Sequence, residues 1–271
     1  MGSLGPISLS FHRQHMRKPQ IGLWLILAIT LVVCAVMSRH GTINLGFTTL
    51  KTSTFATSLL GPTHDKSAKP APKPAPAKEK HQLDTAAKNI LFIGDSMLEG
   101  LSPRMAAYAK KNGHTLTSVI WYSSSTEIWG GSNRLQAYIA QFRPNYILIC
   151  LGANELFVTN IKEKRQQFVN RLLAQVGSIP YVWIGPPNWK PDTGINDLIE
   201  SSVKPGSFYL SAGQQFERKA DGAHPTAQSA AAWADRVCVW ITTESAHPIR
   251  LARPDTTSAH CRTLVLQPNQ R

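Results

Sequence analysis

Ser96 sits in the run Gly94-Asp95-Ser96-Met97, directly behind an apolar stretch of β-strand character. Far down the chain, Asp221-Gly222-Ala223-His224 places an acid and an imidazole three residues apart. Between them lies Gly152-Ala153-Asn154-Glu155, again behind apolar residues. A serine hydroxyl is a poor nucleophile near neutral pH unless a base takes its proton as it attacks. His224 offers that base, and Asp221 offers a carboxylate able to hold the ring in the useful tautomer. Asn154 offers an amide that can donate to the oxyanion of a tetrahedral intermediate. These are the parts of a nucleophilic acyl-transfer site.

Such parts work only if a scaffold brings three distant loops together. Apolar runs at 89–93, 117–122, 146–151, 181–184 and 208–210 read as strands. Helical patterns cover 101–111, 135–142, 162–176 and 226–243, with Phe168, Leu172, Leu173 and Val176 on one face of the third. Alternating strands and helices predict an α/β domain over 83–243, its parallel sheet covered on both faces. In such sheets ligands bind beyond the carboxyl ends of the strands, which is where Ser96, Ser124 and Asn154 fall.

From residue 89 to about 240 the chain resembles the SGNH (GDSL-type) hydrolase family. Gly94-Asp95-Ser96 matches the family's first block, Gly152-Ala153-Asn154 three positions of its third, and Asp221 to His224 its last, with Pro225 behind the histidine. The resemblance implies a flavodoxin-like α/β/α sandwich with a catalytic triad of Ser96, Asp221 and His224 and no cofactor or metal. It also implies an oxyanion hole built from the N–H groups of Ser96 and Ser124 and the Asn154 amide. Two positions depart from the family pattern. Ser124 stands where the second block has glycine, and Glu155 stands where an aspartate follows the asparagine. Trp189 and Trp129 are candidates to contact a substrate sugar ring, and each could equally be a core or rim aromatic.

The rest of the chain bears on where such a domain works. Residues 21–37 form a 17-residue run without charge, at the short end of what spans a bilayer core. Arg13, Arg17 and Lys18 precede it and Arg39 alone follows. The basic flank predicts an uncleaved signal anchor with residues 1–20 in the cytoplasm, a cleaved signal peptide being the rival. Residues 38–82 are rich in Thr and Ser, then in Pro, Ala and Lys, and read as an extended spacer at about 3.1 Å per residue. The first 82 residues hold 10 of the 29 Lys/Arg but only 2 of the 16 Asp/Glu. The basic excess therefore gathers in the tail and spacer, with no basic stripe interleaved with aromatics, which argues against a nucleic-acid partner. Residues 244–271 read as a C-terminal tail, and Cys238 and Cys261 as either a disulfide pinning it or two free thiols.

Resemblance and layout together imply a membrane-anchored bacterial enzyme with its domain in the periplasm. It would act on short acyl esters of an envelope or secreted polysaccharide, as an esterase or as an O-acyltransferase fed by a membrane acyl donor. A lysophospholipase or thioesterase and a non-catalytic glycan-binding module are the alternatives. The topology is testable: a reporter active only outside the cytoplasm, fused after Arg271, is expected to be active. Recovery of soluble protein with a new N-terminus near Ser38 would establish cleavage instead.

Overall fold

The computed structural model describes residues 82–269, together with two short strands, β1 (Thr42–Asn44) and β2 (Thr49–Lys51), that pair antiparallel in a separate unit. The expected span at 21–37 and most of the spacer lie outside the described residues. Among the described residues no helix is long and apolar enough to cross a membrane.

The domain is built on one six-stranded sheet. Its strands are β3 (Asn89–Gly94), β4 (Thr115–Trp121), β5 (Tyr146–Cys150), β6 (Tyr181–Ile184), β7 (Phe208–Tyr209) and β8 (Arg262–Leu266). They run in the order β7-β6-β5-β3-β4-β8, and every neighbouring pair is parallel. Without β8 this is the doubly wound order 2-1-3-4-5, whose switch point lies between its first and third strands, here β3 and β5.

Consecutive residues of a strand face opposite sides, so a strand buried on both faces must be apolar throughout. In β3, Ile90 and Phe92 join the core beneath α1 (Leu98–Lys111) and α6 (Ala227–Thr243), while Leu91 and Ile93 join the core on the other face. That second core is closed by α3 (Arg134–Phe142), α4 (Ile161–Val176) and α5 (Ile195–Ser202). Three layers result, as the alternating pattern predicts. In α4 the buried positions are Ile161, Val169, Leu172 and Val176, with Phe168 and Leu173 only half buried.

Two short helices escape the periodic reading. The five-residue α2 (Thr126–Gly130) is too brief to show a period, and Ser125 starts it by accepting from the Ile128 N–H. Helix α5 begins where Asp192 accepts from the N–H groups of Gly194, Ile195 and Asn196, at 2.8, 2.9 and 3.3 Å.

The C-terminal segment, read as a tail, packs onto the domain over residues 244–269. Arg250 N–H donates to Asp84 O at 3.0 Å, and Asn112 and Ala252 exchange two hydrogen bonds of 2.9 Å. Arg104, paired with Asp235 at 2.6 Å, also donates to Thr256 O. The chain then enters the sheet as β8, alongside β4 from Thr117 opposite Arg262 to Trp121 opposite Leu266. No disulfide does the pinning: Cys238 is buried against Met105, Cys261 lies beside Thr263, and both are free thiols.

His114 is buried under this segment. Its Nδ1 accepts from the Lys88 N–H at 3.1 Å, so Nε2 carries the proton and donates to Arg250 O at 2.8 Å. Only the neutral ring can do both, and burial lowers its pKa below the ordinary 6.5. Below that value the unfolded chain binds a proton that the folded chain refuses, so stability is present above it and lost as pH falls. Thermal unfolding followed from pH 8 to 5 is expected to show this loss in the wild type and a smaller loss in His114→Gln. Equal slopes for the two would contradict it.

Candidate active site

Gly94 ends β3 where no other residue fits, because a Cβ there would stand 2.2 Å from Cys150 O and 2.4 Å from Leu98 Cδ1. The close approach of β3 and β5 thus sets the start of the Asp95–Ser96 turn. Asp95 is fully buried, and its Oδ1 accepts from the Met97 N–H at 2.9 Å. Burial, with the Glu155 charge adding to it, pushes the Asp95 pKa up to about 7. Ser96 is left half buried at the end of the turn.

His224 Nε2 lies 2.8 Å from Ser96 Oγ, and His224 Nδ1 lies 2.7 Å from Asp221 Oδ2. Asp221 Oδ1 accepts from the N–H groups of Ala223 and His224, at 2.8 and 2.9 Å. Those bonds, the His224 N–H first, bring the Asp221 pKa down to about 2 although the group is exposed. An ionised carboxylate can only accept, so Nδ1 must carry the ring proton. The Nε2 lone pair then faces the serine O–H, as a general base requires. Gly222 allows the turn between acid and base, its φ of +68° lying in the left-handed region.

Asn154 follows β5 in a short 3₁₀ turn (Ala153–Glu155), and its Nδ2 donates to Ser124 O at 2.8 Å. A primary amide has two N–H groups. One fixes the side chain, and the other remains to meet an oxyanion.

Ser124 departs from expectation. Its N–H donates to Trp121 O at 3.1 Å, closing a turn in which Ser123 takes a φ of +54°. A single N–H spent there is not offered to an oxyanion. Its Oγ accepts from Trp129 Nε1 at 3.0 Å. Trp129 is fully buried, edge-on to Trp121, so it is a core residue that holds Ser124 rather than a sugar contact. Trp189 does stand at the rim. Its Nε1 donates to Ala153 O at 2.9 Å, and its half-buried ring meets the exposed Phe157 edge-on, with the Lys190 ammonium 4.8 Å above it.

Glu155, which stands in place of the family's aspartate, is fully buried. Its Oε1 accepts from the N–H and hydroxyl of Thr126 and lies 3.2 Å from Arg165 Nε, an ion pair without hydrogen-bond alignment. Burial raises its pKa, and Thr126 and Arg165 oppose the rise. This network joins the loop after β4 to the loop after β5. Sequence reasoning missed Asp95, Thr126, Arg165 and Arg218, the last of which binds the loop of His224. Asp95 stands inside the first motif block, where the part played by its buried carboxyl does not show, and no motif spacing marks Arg165 or Arg218. Among the described residues no cluster of His, Cys, Asp or Glu is arranged to hold a metal.

No protein-family model matches the chain. A curated relative from Psychromonas ingrahamii, named enoyl-acyl-carrier-protein reductase (NADH), is 29% identical over 138 residues, 49% of this chain and 34% of that protein. The chain thus spans about a third of that relative's length. Among solved structures, the psychrotrophic esterase EstA from Pseudoalteromonas sp. is 18% identical, with 56% of this chain and 96% of that one covered and a TM-score of 0.44. TesA is likewise 18% identical, over 56% and 97% of the two chains, with a TM-score of 0.45. A lipase/acylhydrolase from Enterococcus faecalis is 16% identical over 55% and 93%, with a TM-score of 0.43. All three TM-scores lie below 0.5, so none of these likenesses decides the chemistry of this chain.

The buried bond from Trp129 to Ser124 carries its own test. Ser124→Ala would leave the indole N–H without its acceptor, at a cost of about 1–3 kcal/mol. Denaturant unfolding is expected to register that loss, while activity per folded molecule stays near wild type. A large loss of turnover in a fully stable Ser124→Ala protein would contradict this account.

Proposed function

We propose that the chain is an SGNH-type serine ester hydrolase or acyltransferase that works through an acyl-Ser96 intermediate. The observation that carries the reading is the relay Asp221–His224–Ser96, with contacts of 2.7 and 2.8 Å, at the carboxyl ends of the strands and beside the Asn154 amide. Ser96 Oγ attacks the ester carbonyl as His224 Nε2 takes its proton. The developing oxyanion is met by the free Asn154 amide N–H and the Ser96 N–H. The loop's own backbone bonds run from Asp95, Leu98, Glu99 and Gly100 and do not use the Ser96 N–H. His224 then gives its proton to the leaving alkoxide, and water or a second hydroxyl releases the acyl group by the reverse route.

For substrate we favour short acyl esters, acetyl above all, on an envelope or secreted polysaccharide. The charge-free run at 21–37 and the Pro/Ala/Lys-rich segment behind it, read as an anchor and spacer, support this, as does the aromatic edge of Trp189 and Phe157 beside the Asn154 loop. The same edge favours a second reading. Phe157 is 57% exposed and could pack along a lipid acyl chain in a lysophospholipase-like or thioesterase-like enzyme.

A fluorophosphonate probe added to the full-length protein in detergent is expected to label Ser96 alone. His224→Ala should lose labelling almost as fully as Ser96→Ala, because triad members act as a unit. Asn154→Ala should keep the fold and lower turnover by roughly 10²-fold. Acetyl esters should be cleaved much faster than long acyl esters; a preference for eight or more acyl carbons would favour the lipid reading. Folded protein that neither labels nor hydrolyses a short ester, yet binds glycan, would leave a binding module in place of an enzyme.

A further inference from the structure

Asp221 and His224 sit on the least buried part of the site, with side-chain exposures of 46% and 27%. The bonds of their loop mostly fold it on itself: Lys219 N–H to His224 O at 2.8 Å, Gly222 N–H to Lys219 O at 2.9 Å, and Thr226 N–H to Glu217 O at 2.8 Å. Ser96 and Asn154, by contrast, leave the sheet on strands buried from Ile90 to Gly94 and from Tyr146 to Cys150. A general base must hold its distance to the nucleophile within a few tenths of an ångström, and a misplacement of about 1 Å can cost 10²-fold in rate. Something must tie the exposed loop to the fixed one.

Arg218 makes that tie. Its Nη1 donates to Ala223 O, the carbonyl next to His224, at 2.5 Å. Its Nη2 donates to Pro187 O and Asn188 O, at 3.0 and 2.8 Å, in the loop after β6. The next residue in that loop is Trp189, whose indole N–H is bound to Ala153 O beside Asn154. The chain of contacts runs from the base, through one guanidinium and one indole, to the oxyanion donor. The Arg218 guanidinium also lies 5.5 Å from the ring centre of Phe216, which packs edge-on against the buried Trp233.

We propose that Arg218 is a positioning residue that sets where His224 stands relative to Ser96 and Asn154. The proposal rests on the serine-hydrolase reading above. Arg218 touches neither Ser96 nor the imidazole, and acts by bridging two loops through three backbone carbonyls. A planar fork of N–H groups can serve carbonyls of two loops at once, whereas a lysine ammonium is a point charge on a flexible stem.

The test uses full-length protein in detergent and the variants Arg218→Met, Arg218→Lys and Arg218→Ala. Arg218→Met is expected to lower kcat for a small acetyl ester, and the rate of fluorophosphonate labelling with it, by roughly 10- to 100-fold, with KM little changed. Arg218→Lys should fall between it and the wild type. Added guanidinium ion should restore part of the labelling rate to Arg218→Ala and none to His224→Ala, a rescue that a merely structural role would not show. Amide hydrogen exchange should rise at Ala223 and His224 and stay unchanged in β3 and β5. Wild-type labelling rates in both Arg218→Met and Arg218→Lys, or unchanged exchange at Ala223 and His224, would overturn the proposal. If Arg218→Met exchanges faster throughout the domain, Arg218→Lys decides: a wild-type labelling rate there overturns the proposal, and an intermediate one supports it. A wild-type protein inert to probe and ester would defeat the hydrolase reading instead. The exchange comparison would then still decide whether Arg218 holds the loop.

Discussion

Three polar loops, after β3, β4 and β5, leave this sheet side by side inside the protein, and the cost of burying unpaired polar groups governs what they can be. The loops after β3 and β5 run so close that the position ending β3 cannot carry a Cβ. Asp95, Ser124, Thr126 and Glu155 are then enclosed with almost no access to water. A buried polar group without a partner costs as much as a lost hydrogen bond or more. Specific pairings answer much of this demand: Asp95 Oδ1 with the Met97 N–H, Glu155 Oε1 with Thr126 and the Arg165 charge, Ser124 with Trp129 and Asn154, while Asp95 Oδ2 and Glu155 Oε2 stay buried without a hydrogen-bond partner. Each pairing also locates a group of the candidate site. The order of the nucleophile's turn and of the Asn154 amide follows from that demand.

The two halves of the site are held by different physics. Ser96 and Asn154 stand on loops fixed by burial at the switch point of a parallel sheet. Asp221 and His224 stand on a surface loop and depend on hydrogen bonds alone. Asp221 shows that exposure need not mean a weak role. Two backbone N–H groups and the imidazole converge on its carboxylate, and its pKa drops although no burial helps. Asp95 shows the opposite case, a carboxyl shut away from water whose pKa burial raises towards neutrality.

Much of the scaffold was legible because parallel strands enclosed by helices must be apolar throughout. The runs beginning β3, β5 and β6 show this in sequence, and the bounds read for them match the observed strands to within a residue or two. Helix α4 was legible because its second half displays an apolar stripe of Phe168, Leu172, Leu173 and Val176. Helix α2 was not, since five residues show no period, and β8 was not, since an edge strand is half exposed and its polar neighbours hide the pattern. The free thiols of Cys238 and Cys261 follow from packing, which puts one inside α6 and the other beside the edge strand.

The sequence by itself determined which residues can do chemistry: a serine, an imidazole, a carboxylate and an amide, each at the end of an element whose period is written in its own residues. Residue type is a local property, and so is periodicity. Tertiary structure alone decided which N–H groups are free to act. Ser124 spends its only N–H on Trp121 O, Trp129 turns inward to hold Ser124, and Arg218 reaches carbonyls about thirty residues away in the chain. A hydrogen bond is spent or free according to what lies within about 3 Å of it in space, and segments far apart in sequence supply those partners.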